Sequence, residues 1–348
     1  MKLMRIVDCT PGMYLGEDIV NHSGVVFLGS GTRLTDKHLK SLQQLGIETV
    51  YIASPERTEE LENDMILFDR QLNREFQNTI SSFKNVYQNV RLGNQIILDE
   101  LKGSITPLIS RVISNNNILG NLRMIEVADE YTYKHSINVG MVASMIGKWL
   151  GYGPVELMDL ALAGMLHDIG KSRIPQEIIN KPARLTPEEF DIIKTHPRAG
   201  YEILSETREV NFDVLFGVLE HHEWIGGGGY PSGSGGKKIH EYARIVAVAD
   251  VFDAITSNRS YKSKISPFRA AEIVMEESTV HLDPEIVQLF LSRISQFYVG
   301  NTVQLNTGEI GEIVMVNRYN LTRPLVRVKE RFYDLSSNYR LQIVEVLK

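Results

Sequence analysis

Residues 161–171 read Ala-Leu-Ala-Gly-Met-Leu-His-Asp-Ile-Gly-Lys. An apolar segment runs directly into His167 and Asp168, so the Asp168 carboxylate is expected to be buried. A buried carboxylate is costly unless it is paired or coordinates a metal ion. Asp250 repeats the arrangement, because it follows the apolar run 245–249. The sequence therefore predicts two buried acids within a helical pattern that spans about residues 118–300.

Five of the nine histidines fall within one stretch of 88 positions, from His135 to His222. They are His135, His167, His196, His221 and His222. One histidine on a helix is most simply a hydrogen-bonded core residue. Five of them with two buried acids are hard to explain as separately satisfied polar groups. We therefore predict a metal site.

The ligand types narrow the choice of metal. Neutral imidazoles and carboxylates without thiolates suit Fe, Mn, Zn, Ni or Co. Five histidines and two aspartates exceed the usual need of one ion, whereas two ions that share a bridging carboxylate would use them all. Two metal ions about 3.5–4 Å apart typically serve phosphoester hydrolysis, in which they polarise the phosphoryl oxygens and hold a bridging hydroxide. The residues thus favour a dinuclear hydrolase.

A series of motifs resembles the HD-GYP class of the HD-domain phosphohydrolases over about residues 120–295. The motifs, in the order of that class, are Tyr131-Thr-X-X-His135-Ser, His167-Asp168-X-Gly-Lys171, the lone His196, His221-His222-Glu223, Gly229-Tyr230-Pro231, and Asp250-X-X-Asp253-Ala followed by Arg259 and Lys262. The resemblance implies an all-helical HD core. It also implies hydrolysis of the bacterial messenger cyclic di-GMP to linear pGpG, and in some members on to GMP.

The same resemblance implies which residues bind the metals. One ion would take His135, His167, Asp250 and a bridging Asp168. The second ion would take His196, His221 and His222 together with the bridging carboxylate. Some members hold a third metal with a Glu four positions before the first ligand histidine, but this chain has Tyr131 there. We therefore expect two divalent ions, with iron first and manganese, nickel, cobalt or zinc as alternatives.

One position departs from the family pattern His-His-Glu-X-X-Asp-Gly-X-Gly-Tyr-Pro. This chain has Gly226 where the family has Asp, within a loop of residues 226–236 that is rich in glycine. The loop is open to two interpretations, a lid over the substrate or a surface for protein partners. Two alternatives to a cyclic di-GMP hydrolase also stay open. One is a degenerate signalling module that binds metal or nucleotide with little turnover, and the other is a hydrolase of another cyclic dinucleotide.

Cations near the motifs are candidates for binding the substrate's phosphates. Lys171 lies one helical turn after His167 and is expected to act with Asp168 in catalysis; the alternative is a solvated helix-end cation favoured by the dipole. Arg259 and Lys262 are spaced i, i+3 and would hold the non-reacting phosphate, or are plain surface charges. Tyr230 of the Gly-Tyr-Pro motif joins this substrate-binding set.

Three other side chains are expected to support the site without binding metal. Asp253 and Glu223 could each orient a ligand histidine as a second carboxylate. Trp224 could stack on a guanine or pack in the core, and packing is the simpler interpretation.

Composition excludes several classes of protein. The 348 residues include 37 Lys+Arg and 43 Asp+Glu, which gives a formal charge of −6, so binding of a nucleic-acid polymer is not expected. The single cysteine, Cys9, excludes a disulfide framework and a Cys-based zinc ribbon. No uncharged apolar run reaches about 18 residues, and early Asp, Pro and Glu interrupt any signal-peptide core. A cytoplasmic protein with no membrane span is expected.

The local patterns divide the chain into four segments. Residues 1–56 predict a small α/β module, 57–117 a helical linker or bridge, 118–299 the HD-GYP catalytic domain and 300–348 a β-rich tail. The expected fold class is therefore mainly α, with a helical HD-domain bundle.

A stripe of apolar residues marks one face of the helix predicted between about 60 and 90. It consists of Phe68, Leu72, Phe76, Ile80, Phe83 and Tyr87. Such a stripe is typical of a helix that bridges domains, of one half of a homodimer seam, or of packing within the chain. These alternatives stay open.

Overall fold

The fold is mainly α, as predicted, with two small β-containing units at either side of a helical bundle. The computed structural model describes residues 1–17, 19–20, 26–28, 32–114, 131–256, 266–296, 298–317 and 320–347. Arg259 and Lys262 lie outside these residues, and for residues 20, 26–27, 37, 41, 44, 55–69, 131–132, 267 and 296 only the backbone is described. None of the described helices is both long enough and apolar enough to cross a membrane.

The N-terminal unit is built from short strands and one helix. Strand β1 (Lys2–Arg5) pairs antiparallel with β4 (Thr49–Ile52), and β2 (Ile19–Val20) pairs with β3 (Val26–Leu28). Helix α1 (Asp36–Gln44) ends just before Gly46, whose φ of +73° is the left-handed conformation that favours glycine at a helix end. This unit has its own apolar core around Leu15, Leu42 and Ile52.

A long helical hairpin connects this unit to the bundle. Helix α2 (Pro55–Arg91) turns into α3 (Leu98–Ser114), and Arg111 makes two hydrogen bonds of 2.7 Å to the Glu75 carboxylate across the hairpin. The stripe residues Leu72, Phe76, Ile80, Phe83 and Tyr87 are buried in the main core of the same chain. This arrangement agrees with the intramolecular alternative. A homodimer through residues 60–90 stays a prediction.

The central bundle contains the helices that carry the motifs. They are α4 (Tyr131–Leu150), α5 (Pro154–Leu166), α6 (Gln176–Ile179), α7 (Pro187–Ile193), α8 (His196–Ser205), α9 (Phe212–Leu219), α10 (Glu241–Thr256), α11 (Pro267–Glu277) and α12 (Pro284–Gln296). Helices α4 and α5 pack closely because glycines meet at their crossing: a Cβ on Gly164 would lie 2.8 Å from the Gly140 Cα. The absence of side chains there lets the two backbones approach.

The C-terminal unit is an antiparallel sheet with the strand order β8-β7-β6-β5-β9. Its strands are β5 (Thr302–Leu305), β6 (Ile310–Asn317), β7 (Asn320–Val328), β8 (Arg331–Asp334) and β9 (Ile343–Val346). Phe268 of α11 and Tyr298 belong to the sheet's apolar core. The buried Arg323 guanidinium donates to the Glu272 carboxylate of α11 at 2.8 Å. Apolar packing and this hydrogen bond therefore hold the sheet against the bundle.

Candidate metal centre

The sequence-predicted ligands come from five places along the chain and meet at one place in the bundle. His135 lies near the start of α4, and His167 and Asp168 follow the last residue of α5. His196 is the first residue of α8, His221 and His222 come just after α9, and Asp250 lies in α10. Among the described residues, these side chains form two groups whose ligand atoms lie within 4.8 Å of one another.

The first group consists of His135, His167 and Asp250. Asp250 Oδ1 lies 3.0 Å from His135 Nε2 and 3.9 Å from His167 Nε2. The second group consists of Asp168, His196, His221 and His222. Within it, His196 Nε2 lies 3.2 Å from Asp168 Oδ1 and 3.3 Å from His221 Nε2.

Asp168 faces both groups. Its Oδ1 points to His196, while its Oδ2 lies 3.3 Å from His167 Nε2 in the first group. Helix α5 ends immediately before the His167-Asp168 pair, and a 3₁₀ turn (Ile169–Arg173) follows. Because the helix type changes at this pair, the consecutive side chains of His167 and Asp168 can lie in adjoining ligand groups.

Backbone carbonyls orient three of the imidazoles. The Nδ1 atoms of His167, His196 and His221 each lie 2.7 Å from the carbonyl oxygen three residues earlier. A carbonyl oxygen can only accept a hydrogen bond, so each Nδ1 is the donor and each Nε2 of the neutral ring keeps a lone pair. The Nε2 atoms of His196 and His221 therefore face one another, and the buried Asp168 Oδ1 accepts no hydrogen bond from the described residues.

The fourth ring, that of His135, is oriented by a carboxylate. His135 Nδ1 lies 2.7 Å from Asp253 Oδ2, and Asn138 Nδ2 donates to Asp253 Oδ1 at 2.8 Å. Asp253 thus occupies the supporting position expected for it, behind the ligand. Asn138 was missed by the sequence analysis. The available signal was its spacing, three residues after His135, which places both side chains on one face of α4.

Burial and neighbouring charge keep the carboxylates ionised. Burial raises the pKa of Asp168, but electrostatic interactions with the His167 ring and the Lys171 ammonium outweigh that effect and hold the pKa well below its ordinary value. Burial likewise raises the pKa of Asp250, and the hydrogen bond with His135 leads the contributions that hold it far below the usual range. Both acids therefore present charged oxygens.

The histidines divide into two electrostatic types. Burial lowers the pKa of His221 well below its usual value and that of His222 to about 3, so both rings are neutral at pH 7. Burial also disfavours charge on His135, but hydrogen bonds to Asp250 and Asp253 raise its pKa to about 11. A metal ion at His135 must therefore displace a proton.

The donor set fits divalent metal ions. Ligand atoms about 2.1 Å from one ion in octahedral geometry are about 3.0 Å apart, and the closest contacts in both groups are near that spacing. The lone pairs that face one another repel unless a cation lies between them. Imidazole and carboxylate donors without sulfur match iron, manganese, nickel, cobalt and zinc.

The candidate substrate-binding residues have different positions. Lys171 Nζ donates to Asp168 Oδ2 at 2.6 Å and remains partly exposed. The Tyr230 ring stacks on His222 with centroids 4.6 Å apart and planes at 33°. Arg259 and Lys262 lie outside the described residues, so their assignment stays a prediction.

The glycine-rich loop is held by hydrogen bonds at several points. Gly226 N donates to Val280 O at 2.8 Å, and Ser232 N donates to the buried Glu223 carboxylate at 2.6 Å. Tyr230 N donates to His222 O, and a Cβ on Gly229 would lie 2.4 Å from that same oxygen. The loop therefore packs directly on the segment that carries the ligands. The Glu223 carboxylate accepts a hydrogen bond from this loop, whereas the sequence suggested that it orients a ligand histidine. The Trp224 ring is partly exposed, and its centroid lies 4.3 Å from the centroid of the His281 ring.

The region that carries these ligands is similar to known proteins. Residues 121–286 match the HD domain family. A cyclic di-GMP phosphodiesterase of Pseudomonas aeruginosa is 35% identical over 246 residues, which are 70% of this chain and 59% of the relative. A 3′3′-cGAMP-specific phosphodiesterase of Vibrio cholerae is 30% identical over 198 residues, 55% of this chain and 44% of the relative. The chain thus spans about half the length of these relatives.

A solved structure also shares the fold. The structure of Bd1817, a protein of Bdellovibrio bacteriovorus described as HDG"Y"P, superposes with a TM-score of 0.53 at 18% identity, covering 83% of this chain and 97% of that one. Residues 121–286 therefore form a domain of the HD type. The motifs around His167 and Tyr230 are consistent with the HD-GYP class of that family.

Proposed function

We propose that this chain is a metal-dependent phosphodiesterase that hydrolyses cyclic di-GMP to linear pGpG. The observation that carries the proposal is the position of Asp168, which turns one carboxylate oxygen toward each of two adjoining ligand groups. A carboxylate shared in this way is what a two-metal phosphoester hydrolase requires. The 35% identity to a cyclic di-GMP phosphodiesterase supports this substrate.

The proposed cofactor is a pair of divalent ions, with iron first. One would be held by His135, His167, Asp168 and Asp250, and the other by Asp168, His196, His221 and His222. When bound, such ions polarise phosphoryl oxygens and supply hydroxide at neutral pH. The carbonyl-anchored rings fix the ligand directions in advance, so little reorganisation is needed on binding.

The surrounding residues act on the substrate. Lys171, which donates to Asp168 in the free protein, is close enough to the ligand groups to donate to a phosphate oxygen and stabilise the leaving group. Tyr230 covers His222 and keeps its proton, because burial followed by the charges of Asp168 and Asp250 raises its pKa. Arg259 and Lys262 are proposed to hold the second phosphate of the cyclic dinucleotide.

The direct test uses the purified full chain. The protein is stripped with a chelator, reloaded anaerobically with Fe(II), Mn(II) or Ni(II), and incubated with cyclic di-GMP, and the nucleotides are separated by chromatography. We expect a linear product, with metal analysis giving two ions per chain. Loaded protein that binds the nucleotide without forming any linear product contradicts the proposal and selects a signalling module, with Gly226 as the position to restore to Asp.

A second candidate substrate is supported by the similarity to a 3′3′-cGAMP-specific phosphodiesterase. Hydrolysis of cyclic GMP-AMP would use the same metal ligands and differ only in the recognition of one base. The rates on the two cyclic dinucleotides, measured side by side at equal concentration, separate the candidates. A higher kcat/KM for cyclic GMP-AMP would reassign the substrate and leave the metal chemistry in place.

A further inference from the structure

A buried amide lies behind the carboxylate that supports the ligand His135. Asn138 is 3% exposed, and its Nδ2 donates to Asp253 Oδ1 at 2.8 Å. The other oxygen of that carboxylate, Asp253 Oδ2, lies 2.7 Å from His135 Nδ1. Asn138 is therefore connected to the ligand ring through a single carboxylate.

The side chains around His135 come from two helices that pack against each other, α4 and α10. His135 and Asn138 are three residues apart on α4, and Asp250 and Asp253 are three residues apart on α10. Residues at this spacing lie on one face of a helix. The His135 ring is held between the two acids, with Nε2 3.0 Å from Asp250 Oδ1 and Nδ1 toward Asp253. The amide of Asn138 adds a second contact between α4 and Asp253.

The amide controls the orientation of the Asp253 carboxylate. A carboxylate rotates readily about its last side-chain bond, so a partner on one oxygen alone leaves that rotation partly open. Partners on both oxygens fix the plane of the group, and with it the direction from which Oδ2 meets His135 Nδ1. Asp253 is 3% exposed, so bulk water does not replace the amide as a donor.

The amide of Asn138 is itself incompletely paired. Its Oδ1 is buried and accepts no hydrogen bond from the residues that the structure describes. A buried acceptor without a donor destabilises the fold. Turning the amide over would not help, because it would bring Oδ1 against an Asp253 oxygen, and both atoms are acceptors. A local cost of this kind is typical of a functional site.

We propose that Asn138 is a positioning residue of the metal centre, whose amide fixes the Asp253 carboxylate and thereby the direction of the His135 ring. The inference rests on the proposed function for the presence of a metal ion at His135. It adds to the centre a residue that binds neither metal nor substrate.

The test titrates metal-free, full-length protein with Co(II), whose visible absorption reports both occupancy and ligand geometry. Asn138→Leu and Asn138→Ala both remove the donor but differ in packing volume. We expect the dissociation constant for Co(II) to rise about tenfold in both variants, with a changed absorption band, as for loss of a partner that orients a metal ligand.

The matched control is Ser144→Ala. Ser144 is buried in the same helix, and its hydroxyl donates to Met141 O at 2.8 Å within that helix. We expect this variant to bind Co(II) with the wild-type constant and absorption band. A loss of affinity equal to that of the Asn138 variants would overturn the inference, because it would follow from any change to the polar interior of α4.

The Asn138 variants are also made in protein that carries Asp253→Ala. If the amide acts through the carboxylate, Asn138→Leu changes Co(II) affinity by less than about twofold in that background. An equally large loss in both backgrounds overturns the inference and assigns Asn138 to general packing. Wild-type affinity in either single Asn138 variant overturns it as well.

Hydrolysis of cyclic di-GMP is assayed in parallel, so that the two proposals fail separately. Wild type that binds no Co(II) overturns both. Weaker Co(II) binding by both Asn138 variants, with no hydrolysis by loaded wild type, refutes the proposed function and leaves the positioning role of Asn138 standing.

Discussion

At the scale of single residues, Asp168 and Asp250 differ in how many ligand groups they face. Asp168 lies close to histidines of both groups, whereas the ion-pair distances of Asp250 to described ligand histidines are to His135 and His167 of the first group. We predict that Asp168→Ala loses both metal ions and all measurable hydrolysis, because the shared ligand is gone. Asp250→Ala should lose one ion and keep the second. Metal content per chain, measured after equilibrium dialysis, checks both variants; two ions retained in Asp168→Ala would rule out the bridging role.

Asp253 orients a ligand without binding metal in the proposed arrangement. Replacing it by Asn removes the anionic acceptor for His135 Nδ1 and should weaken metal affinity about 10- to 100-fold. The matched control is Asp159→Asn, since Asp159 is also buried and hydrogen-bonded, in its case to Asn211 Nδ2 at 2.7 Å. Isothermal titration with Mn(II) measures both. An affinity in Asp253→Asn equal to that of the control would show that the carboxylate does not orient the ligand.

The residues that the sequence identifies are marked by their neighbours in the chain, and those that it misses are not. His167, Asp168 and Asp250 stand out because an apolar run leads into each, which predicts a buried polar group within the local sequence. Asn138 was missed because its partner Asp253 lies on another helix, and no local pattern encodes that tertiary contact.

At the scale of elements, the approach of the 3₁₀ turn (Ile169–Arg173) to α8 fixes the position of His196. A Cβ on Gly170 would lie 2.0 Å from His196 O and 2.5 Å from Gly200 N. We therefore predict that Gly170→Ala destabilises the fold by about 1–3 kcal/mol through overpacking and also weakens metal binding. Urea unfolding and metal titration measure the two effects.

A glycine in open space is the control for that substitution. Gly103 lies on α3 with no atom near its missing Cβ, so Gly103→Ala should stabilise the protein by about 0.5–1 kcal/mol and leave metal affinity unchanged. If the two alanine variants behaved alike, the close contact of the turn with α8 would not be what positions His196.

Helices and strands whose ends or residue types carry a clear sequence pattern were the most predictable. The sequence Thr-Pro-Glu-Glu at 186–189 predicts a capping box, and Thr186 and Glu189 form it, with Glu189 N donating to Thr186 Oγ1 and Thr186 N donating to the Glu189 carboxylate. The strand Thr49–Ile52 also lies where its β-branched and aromatic residues predict. The loop of residues 226–236 was less predictable, because its conformation depends on hydrogen bonds to Val280 and Glu223 that are supplied by other parts of the fold.

At the scale of the whole molecule, metal binding is coupled to stability and to pH. Each ion present at about 100 times its dissociation constant adds about 2.7 kcal/mol to the free energy of unfolding, so chelation should lower the Tm by several degrees. The pKa of His135 is raised in the fold to about 11, so its contribution to metal-free stability is complete below about pH 6.5 and is lost as the pH rises toward 11.

The same proton competes with the metal. Because binding at His135 expels it, metal affinity should increase with pH across this range. We predict that the difference in Tm between metal-loaded and chelated protein widens from pH 6.5 to pH 9, as followed by circular dichroism. A difference that stays constant or narrows would mean that His135 carries no proton in the metal-free protein.

Helix α2 also has a mechanical consequence for the molecule. It begins three residues after the last strand of the N-terminal unit and carries Tyr87 about 48 Å further along its axis. A continuous helix of this length is a stiff rod, so an axial displacement of the N-terminal unit would be transmitted along α2 to its contact with the 3₁₀ turn that follows Asp168.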